Sequence, residues 1–332
     1  MPNTIAEAFK KFSQYKVLII GDIMIDSYMW GKVDRISPEA PVPVLHFMNS
    51  ESRLGGAANL ALNIQALGGT PILCSVIGED VGGNSLLKLL NEKNIRKDGV
   101  LSVSERTSTI KNRIISGGQQ LLRIDRENDE PIPEGTEQVF IKKITEILGS
   151  ENIDVIIFED YDKGTITPNV ITAITEITKE KGLPVFVDPK HRNFRNYNYV
   201  TFFKPNFKEI TEGLEIHLDK DDMKGLARAA KFLHSVHGIQ HVMITLSEKG
   251  IFYSNRKSSR LIPATIRNIA DVSGAGDTVI AVAAMCYVAG LDIQYVAAIA
   301  NLAGGQVCEK IGVVPIDKEQ LLEESLRVLL NS

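Results

Sequence analysis

Cysteine is scarce in this chain. Its 332 residues hold three, Cys74, Cys286 and Cys308, none in a CxxC spacing, which excludes a disulfide-stapled scaffold and reads as the buried, reduced thiols of a cytosolic protein. Long apolar runs are missing as well. The most apolar stretch, Val279 to Leu291, falls short of the about 18 residues that suggest a membrane span, and the mixed charges of Met1 to Tyr15 do not make a secretory leader. The expectation is a cytoplasmic protein without an anchor. Nor is there a basic excess: 37 Lys and Arg stand against 41 Asp and Glu, a net charge of −4, so the phosphate-gathering stripe of a nucleic-acid or anionic-membrane binder is lacking. Two glycine signatures are absent too. The first strand run is followed by Gly21-Asp22-Ile23-Met24-Ile25-Asp26, with one glycine where a dinucleotide-binding turn needs three, and Gly31-Lys32 is followed by Val33 where a P-loop needs Ser or Thr. His234, His237 and His241 straddle a helix end, Gly238 and a strand start, so a shared metal is not expected.

What the chain does have is a repeated form. Val17 to Ile20 is a short run of β-branched residues and leucine that breaks at Gly21-Asp22, the pattern of a strand buried on both faces. Ile72 to Ile77, Val155 to Phe158, Val185 to Val187 and Val242 to Leu246 repeat it, ending at Gly78-Glu79-Asp80, Glu159-Asp160, Asp188-Pro189 and Ser247. Between these runs lie helical stretches over Ala57 to Leu67, Asn84 to Asn91, Thr136 to Leu148, Asn169 to Lys181, Asp221 to His234 and Asp277 to Ala289. The alternation predicts an α/β fold: a mostly parallel sheet flanked by helices on both faces, with ligands at the carboxyl ends of the strands. Two segments break the rhythm. Val42 to Met48, after a proline-rich stretch, and Thr107 to Ile124, with Gly117-Gly118 at its centre, predict a strand and a hairpin. They read as a small β lid, 31–53 and 107–125, inserted into a single 1–332 domain; an antiparallel extension of the main sheet's edge is the other arrangement the pattern allows.

The strongest chemical signal is Asp271-Val272-Ser273-Gly274-Ala275-Gly276-Asp277-Thr278, at the head of a helical run. Small residues there let a ligand approach the free N–H groups of the first helical turn, which together with the helix dipole bind phosphate oxygens. Asp277 stands at the same place, either as an N-terminal cap or as a general base beside a transferring phosphate. A second glycine cluster, Arg53-Leu54-Gly55-Gly56-Ala57-Ala58-Asn59, opens another helix. Gly55 and Gly56 let the backbone come close to a sugar, and Asn59 either offers hydroxyls a donor and an acceptor or packs at the helix entry. Asp22 and Asp26 follow the first strand as acceptors for sugar hydroxyls or as solvated loop acids. Lys111, Arg113 and Arg123 on the hairpin, with Lys163 and Lys190 at strand ends, suit a phosphate or solvent equally.

In this order along the chain, Gly55-Gly56-Ala57-Ala58-Asn59 and Asp271 to Asp277 resemble the two signatures of the ribokinase-like (PfkB) carbohydrate kinases. Asn206-Phe207-Lys208-Glu209 resembles that family's Asn-x-x-Glu element. Thr245-Leu246-Ser247-Glu248-Lys249-Gly250 resembles its strand-end nucleotide loop, with Ser247 where the family usually has glycine. The resemblance runs from Val17 to Val314. It implies a ribokinase-like fold and phosphoryl transfer from ATP to a sugar hydroxyl, with the phosphates over Gly274, Ala275, Gly276 and Asp277. It further implies nucleotide contacts from Lys190, Asn206, Glu209, Thr245, Ser247, Gly250 and Asn301, Mg²⁺ with Asn206 and Glu209 in its outer shell, and Asp277 as the base that takes the hydroxyl proton.

Within the family, Arg35 to Val44, Gln119 to Asp125, Asp160-Tyr161-Asp162-Lys163-Gly164 and Asp188-Pro189-Lys190 resemble the heptose kinases of lipopolysaccharide inner-core synthesis. That implies O1 of D-glycero-β-D-manno-heptose 7-phosphate as the acceptor. Sugar contacts would come from Asp22, Asp26, Gly55, Gly56, Asn59 and Asp160, and contacts to the 7-phosphate from Lys111, Arg113, Arg123 and Lys163. Such kinases are often fused to an adenylyltransferase domain; no His-x-Gly-His occurs here, so the expectation is the kinase half alone. A family member acting on ribose, fructose 1-phosphate or a nucleoside is the next reading, and a silent sugar or nucleotide sensor the last. Apolar Val42, Val44, Ile114 and Leu122 on the lid strands predict a homodimer paired through the lid.

Overall fold

The computed structural model describes residues 2–330; Met1 and Asn331–Ser332, the ends of the expected 1–332 unit, lie outside the described residues. In chain order the first part holds α1 (Pro2–Lys11), β1 (Lys16–Gly21), β2 (Ile23–Ile36), β3 (Pro43–Gly56), α2 (Ala57–Ala66), β4 (Thr70–Gly78), α3 (Val81–Glu92) and β5 (Arg96–Val103). The middle holds β6 (Thr109–Ser116), β7 (Gln119–Arg126), α4 (Glu134–Ser150), β8 (Val155–Glu159), α5 (Pro168–Lys181), β9 (Val185–Asp188), β10 (Phe202–Phe203), α6 (Phe207–Leu214) and α7 (Met223–Val236). β11 (His241–Thr245), β12 (Ile251–Asn255), β13 (Ser259–Ile262), α8 (Ala275–Val288), α9 (Ile293–Cys308) and α10 (Lys318–Leu330) complete it.

Nine strands form the larger sheet in the order β13-β12-β11-β10-β9-β8-β1-β4-β5. It is parallel from β5 to β11 and antiparallel through β12 and β13. Alternate residues of the central strands face opposite ways. Val17, Ile19, Val155, Ile157 and Phe186 join α1, α2, α8, α9 and α10 in one core, while Leu18, Ile20, Ile156, Phe158 and Val187 join α4 to α7 in the other. Helix ends carry their own signals: α5 starts at Thr167, whose side chain accepts from Val170 N–H, has Pro168 in its first turn and stops at left-handed Gly182. From β1 the chain runs to β4 and β5 on one side and later to β8 and β9 on the other, and that reversal opens a crevice at the strands' carboxyl ends.

The expected lid is a sheet of its own, ordered β3-β2-β6-β7, with β2 and β6 parallel. An extension of the main sheet is thereby excluded. Its strands reach further inward than 31–53 and 107–125: β2 starts at Ile23, directly after β1, and β3 continues to Gly56. Ile23, Met24, Ile25, Tyr28 and Leu54 are buried where the small sheet meets the larger one, so these residues prolong strands whose outer parts are mostly exposed. Asp26 consequently lies inside a strand rather than in a loop. The three thiols are buried and free, and among the described residues no helix is long and apolar enough to cross a membrane.

Candidate active site

Glu159 is the last residue of β8 and Asp188 the last of β9, and the two stand opposite each other in parallel register. Each continues the strand face that carries Ile157 or Phe186, so both point toward the side where α8 packs. Lys204 is in step with Phe202 on that face, and its ammonium lies 2.8 Å from Asp188. α8 contributes Asp277 from its first turn. One oxygen each of Glu159, Asp188 and Asp277 lies within 4.8 Å of the others. All three residues are buried, and both Glu159 oxygens and Asp188 Oδ1 lack a hydrogen-bond partner. Burial, reinforced by the charges of Asp188 and Asp277, pushes the Glu159 carboxyl well above its usual range. A set of unpartnered oxygens of this type suits a hard divalent cation such as Mg²⁺.

Asp277 has a donor on each oxygen. Asn59 Nδ2 donates to Oδ2 at 2.6 Å and the Tyr161 hydroxyl to Oδ1 at 2.7 Å. The two glycine clusters of the sequence thus meet, across a separation of 218 residues. Gly274 makes the approach possible: it enters α8 with φ 78°, a left-handed value, and a side chain there would press on Asn59 at 2.9 Å. Burial lifts the Asp277 carboxyl to about 6, against the hydrogen bonds from Asn59 and Tyr161 that lower it. Burial also raises the Tyr161 phenol, with Asp277 and Glu159 adding to the effect, so it stays a donor. The ammonium groups of Lys111 and Lys190 lie 5.6 and 5.3 Å from the centre of the Tyr161 ring. Lys190 is ion-paired with Glu209; burial opposes its charge, yet Asp188 and Glu209 hold its pKa above the ordinary value.

Several other residues expected at the site have partners within the protein. Asp22 accepts the backbone N–H groups of Tyr161, Lys163 and Thr165 at 3.0 to 3.1 Å, so it shapes the loop that carries Tyr161 instead of offering free oxygens to a sugar. Buried Asp160 accepts from Asn193 and Tyr197, and its carboxyl is pushed up to about 7, chiefly by burial. Asn206 and Glu209 form a reciprocal capping box at the start of α6. Lys163 pairs with Glu127 at 2.8 Å. On the small sheet Asp26, Lys111 and Arg113 share the face turned to the crevice, with Arg113 paired to Asp26 and Gly55 packed against that carboxylate. Gly56 turns into α2 with φ 61°. Arg123 stands across from Arg113 but one strand further out, half-exposed and paired with Asp125. Thr245, adjoining Asn206, leads into the turn Ser247–Gly250, while Asn301 donates to the Pro263 carbonyl nearby. Ser247 has φ 55°, the left-handed value that explains a glycine preference there. His234, His237 and His241 each bond different partners.

Glu159, Tyr161, Asp188 and Lys204 carry no role in the sequence reading. A signal existed: each strand-end acid lies in step with the apolar residues of one face, but which strands adjoin is not local information. The family profile for pfkB family carbohydrate kinases matches residues 14–319. The chain belongs to this family. As a pfkB family kinase it is a phosphotransferase with an alcohol group as acceptor. It is 36% identical over 323 residues to the bifunctional protein HldE of Pelobacter propionicus, a match covering 96% of this chain and 65% of the relative. For HldE of Caulobacter vibrioides the identity is 38% over 323 residues, covering 97% and 65%. The chain spans just under two thirds of the length of these relatives. Among solved structures, phosphofructokinase-2 from Escherichia coli in complex with potassium has a TM-score of 0.78 at 16% identity, covering 95% of this chain and 99% of that one. Ribokinase of Arabidopsis thaliana, complexed with ribose and ATP, has 0.71 at 16% identity, covering 94% and 98%. The shared ribokinase-like fold is what these two likenesses carry.

Proposed function

We propose that this kinase transfers the γ-phosphoryl group of ATP to O1 of D-glycero-β-D-manno-heptose 7-phosphate in the cytoplasm, giving the 1,7-bisphosphate for ADP-heptose and lipopolysaccharide core synthesis. The observation that carries the chemistry is the contact between Asn59 and Asp277, which sets the sugar-side glycine cluster against the helix start that suits phosphate. Asp277 takes the O1 proton as that oxygen attacks the γ-phosphorus, while Asn59 and Tyr161 orient its carboxylate. The free N–H groups at the head of α8 hold phosphate oxygens, and Lys190, Thr245, Ser247, Gly250 and Asn301 line the nucleotide side. Mg²⁺ bound with the nucleotide would neutralise developing phosphate charge, with Asn206 and Glu209 around its waters.

Lys111 supports a phosphorylated sugar: burial lowers its ammonium pKa, and an anion beside it would raise it again. The similarity to bifunctional HldE proteins supports the same substrate. An ADP-release assay with Mg²⁺-ATP tests the reading against β-heptose 7-phosphate, its α anomer, fructose 6-phosphate, fructose 1-phosphate, ribose and adenosine. Selective turnover of the β-heptose phosphate is expected. Turnover of another sugar would keep the kinase and discard this acceptor; silence on the whole panel with ATP still bound would favour a sensor. Asp277→Asn should lose about 10²- to 10⁴-fold in kcat and still bind ATP by calorimetry.

A further inference from the structure

Arg106 lies in the connection between β5 and β6, where the chain leaves the larger sheet for the lid. Its backbone is clamped against the end of β4: a side chain at Gly78 would meet the Arg106 carbonyl at 2.2 Å, and the Ser108 hydroxyl accepts from Gly78 N–H at 3.0 Å. From there the Arg106 side chain, only 8% exposed, reaches past Asp22, just beyond β1, to the loop that follows β8. The guanidinium donates to the Lys163 carbonyl and to the Thr165 hydroxyl, and it stands 3.7 Å from Asp22 Oδ1. Asp22 in turn accepts the N–H groups of Tyr161, Lys163 and Thr165. The two members of one buried ion pair therefore hold the acceptors and the donors of the same loop.

That loop does not keep its shape by itself. Asp162 has φ 53°, left-handed without being glycine, and Gly164 has φ 85° and is packed so closely that a side chain there would meet the Glu130 carbonyl at 2.0 Å. Left-handed backbone at a non-glycine residue persists only where its surroundings over-determine it. The loop presents the Tyr161 hydroxyl to Asp277 at 2.7 Å. Burial lowers the Arg106 pKa and Asp22 raises it, and a guanidinium keeps its charge in such a place. A neutral side chain would remove the cation that faces Asp22 and the donor to the Lys163 carbonyl.

We propose that Arg106 is a positioning residue for phosphoryl transfer: paired with Asp22, it fixes the 161–165 loop so that Tyr161 orients Asp277, and it ties that loop to the root of the lid. It touches no reacting atom and acts through Tyr161. This role rests on Asp277 being the base and holds whichever sugar is the acceptor.

The test is a double-mutant cycle on kcat, run with the acceptor that the substrate panel identifies. Arg106→Met should lower kcat about as far as Tyr161→Phe does, up to about tenfold, and should cost less than about twofold more in the Tyr161→Phe background. An unchanged kcat in Arg106→Met, or the same loss in both backgrounds, overturns the proposal. Arg106→Lys, which keeps a charge beside Asp22 but gives up the planar fork, takes its place in the cycle if Arg106→Met does not fold. Hydrogen exchange on the ligand-free full chain needs no acceptor, so a silent panel leaves it in force. The amides of Tyr161, Lys163 and Thr165 should exchange faster in the variant relative to those of β8 and β9, and unchanged relative rates overturn the proposal.

Discussion

Tyr161 sits on a loop whose shape Asp22 sets through three backbone N–H groups, and its hydroxyl reaches Asp277 at 2.7 Å. A phenol held un-ionised by burial donates to the carboxylate and fixes one of its oxygens, leaving less for the substrate to organise. One net hydrogen bond contributes about 0.5–1.5 kcal/mol, so Tyr161→Phe should lower kcat by up to about tenfold with the KM for ATP unchanged. Steady-state kinetics with a kcat equal to wild type would remove Tyr161 from this role. Lys163 is the neighbouring case. It is neutralised by Glu127 in the absence of substrate, and a sugar phosphate would have to compete for it. Lys163→Ala should raise the KM for the sugar phosphate by about tenfold, the scale of one charged hydrogen bond, and an unchanged KM would show that the lysine only ties the lid's return segment to the core.

At the scale of elements, the small sheet is the least self-sufficient part of the fold. β3 and β7 are its edges, and they expose Phe47 at 63% and Leu122 at 55%, with Met48, Leu121 and Ile124 also open. Edge strands with apolar side chains pair readily with another chain, which supports dimerisation through the lid. Light scattering should give twice the chain mass at assay concentrations, and Leu122→Asp should shift it toward monomer. A monomeric wild type would refute the pairing. The same sheet shows why its extent was hard to read. Ile23 to Ile25 continues the apolar run of β1, so only the break in the chain's direction at Asp22, whose N–H bonds to Glu159 O at 3.3 Å, separates the two strands.

For the molecule as a whole, His241 couples stability to pH. Burial depresses its imidazole pKa from 6.5 to about 4, and its ring stacks on Phe202 while Nδ1 meets the Tyr253 hydroxyl at 2.9 Å. Between these pH values the unfolded chain binds the proton and the native one does not, so stability present above about pH 6.5 is lost as the pH falls toward about 4. Urea unfolding at a series of pH values should show that slope, and His241→Phe should reduce it; an identical slope would assign it to other groups. The sequence by itself determined the strand runs, the helices between them, the lid hairpin and the two glycine clusters, because burial and turn chemistry leave a local periodic mark. It also placed Asp277 at a helix start. Only the tertiary structure decided that Asn59 donates to Asp277, that Asp22 and Asp160 hold loops together, and that Glu159, Asp188 and Lys204 share one crevice with Asp277. Periodicity tells which face of its own strand a residue takes, but the neighbours it meets there depend on strand order and helix packing between segments far apart in the chain.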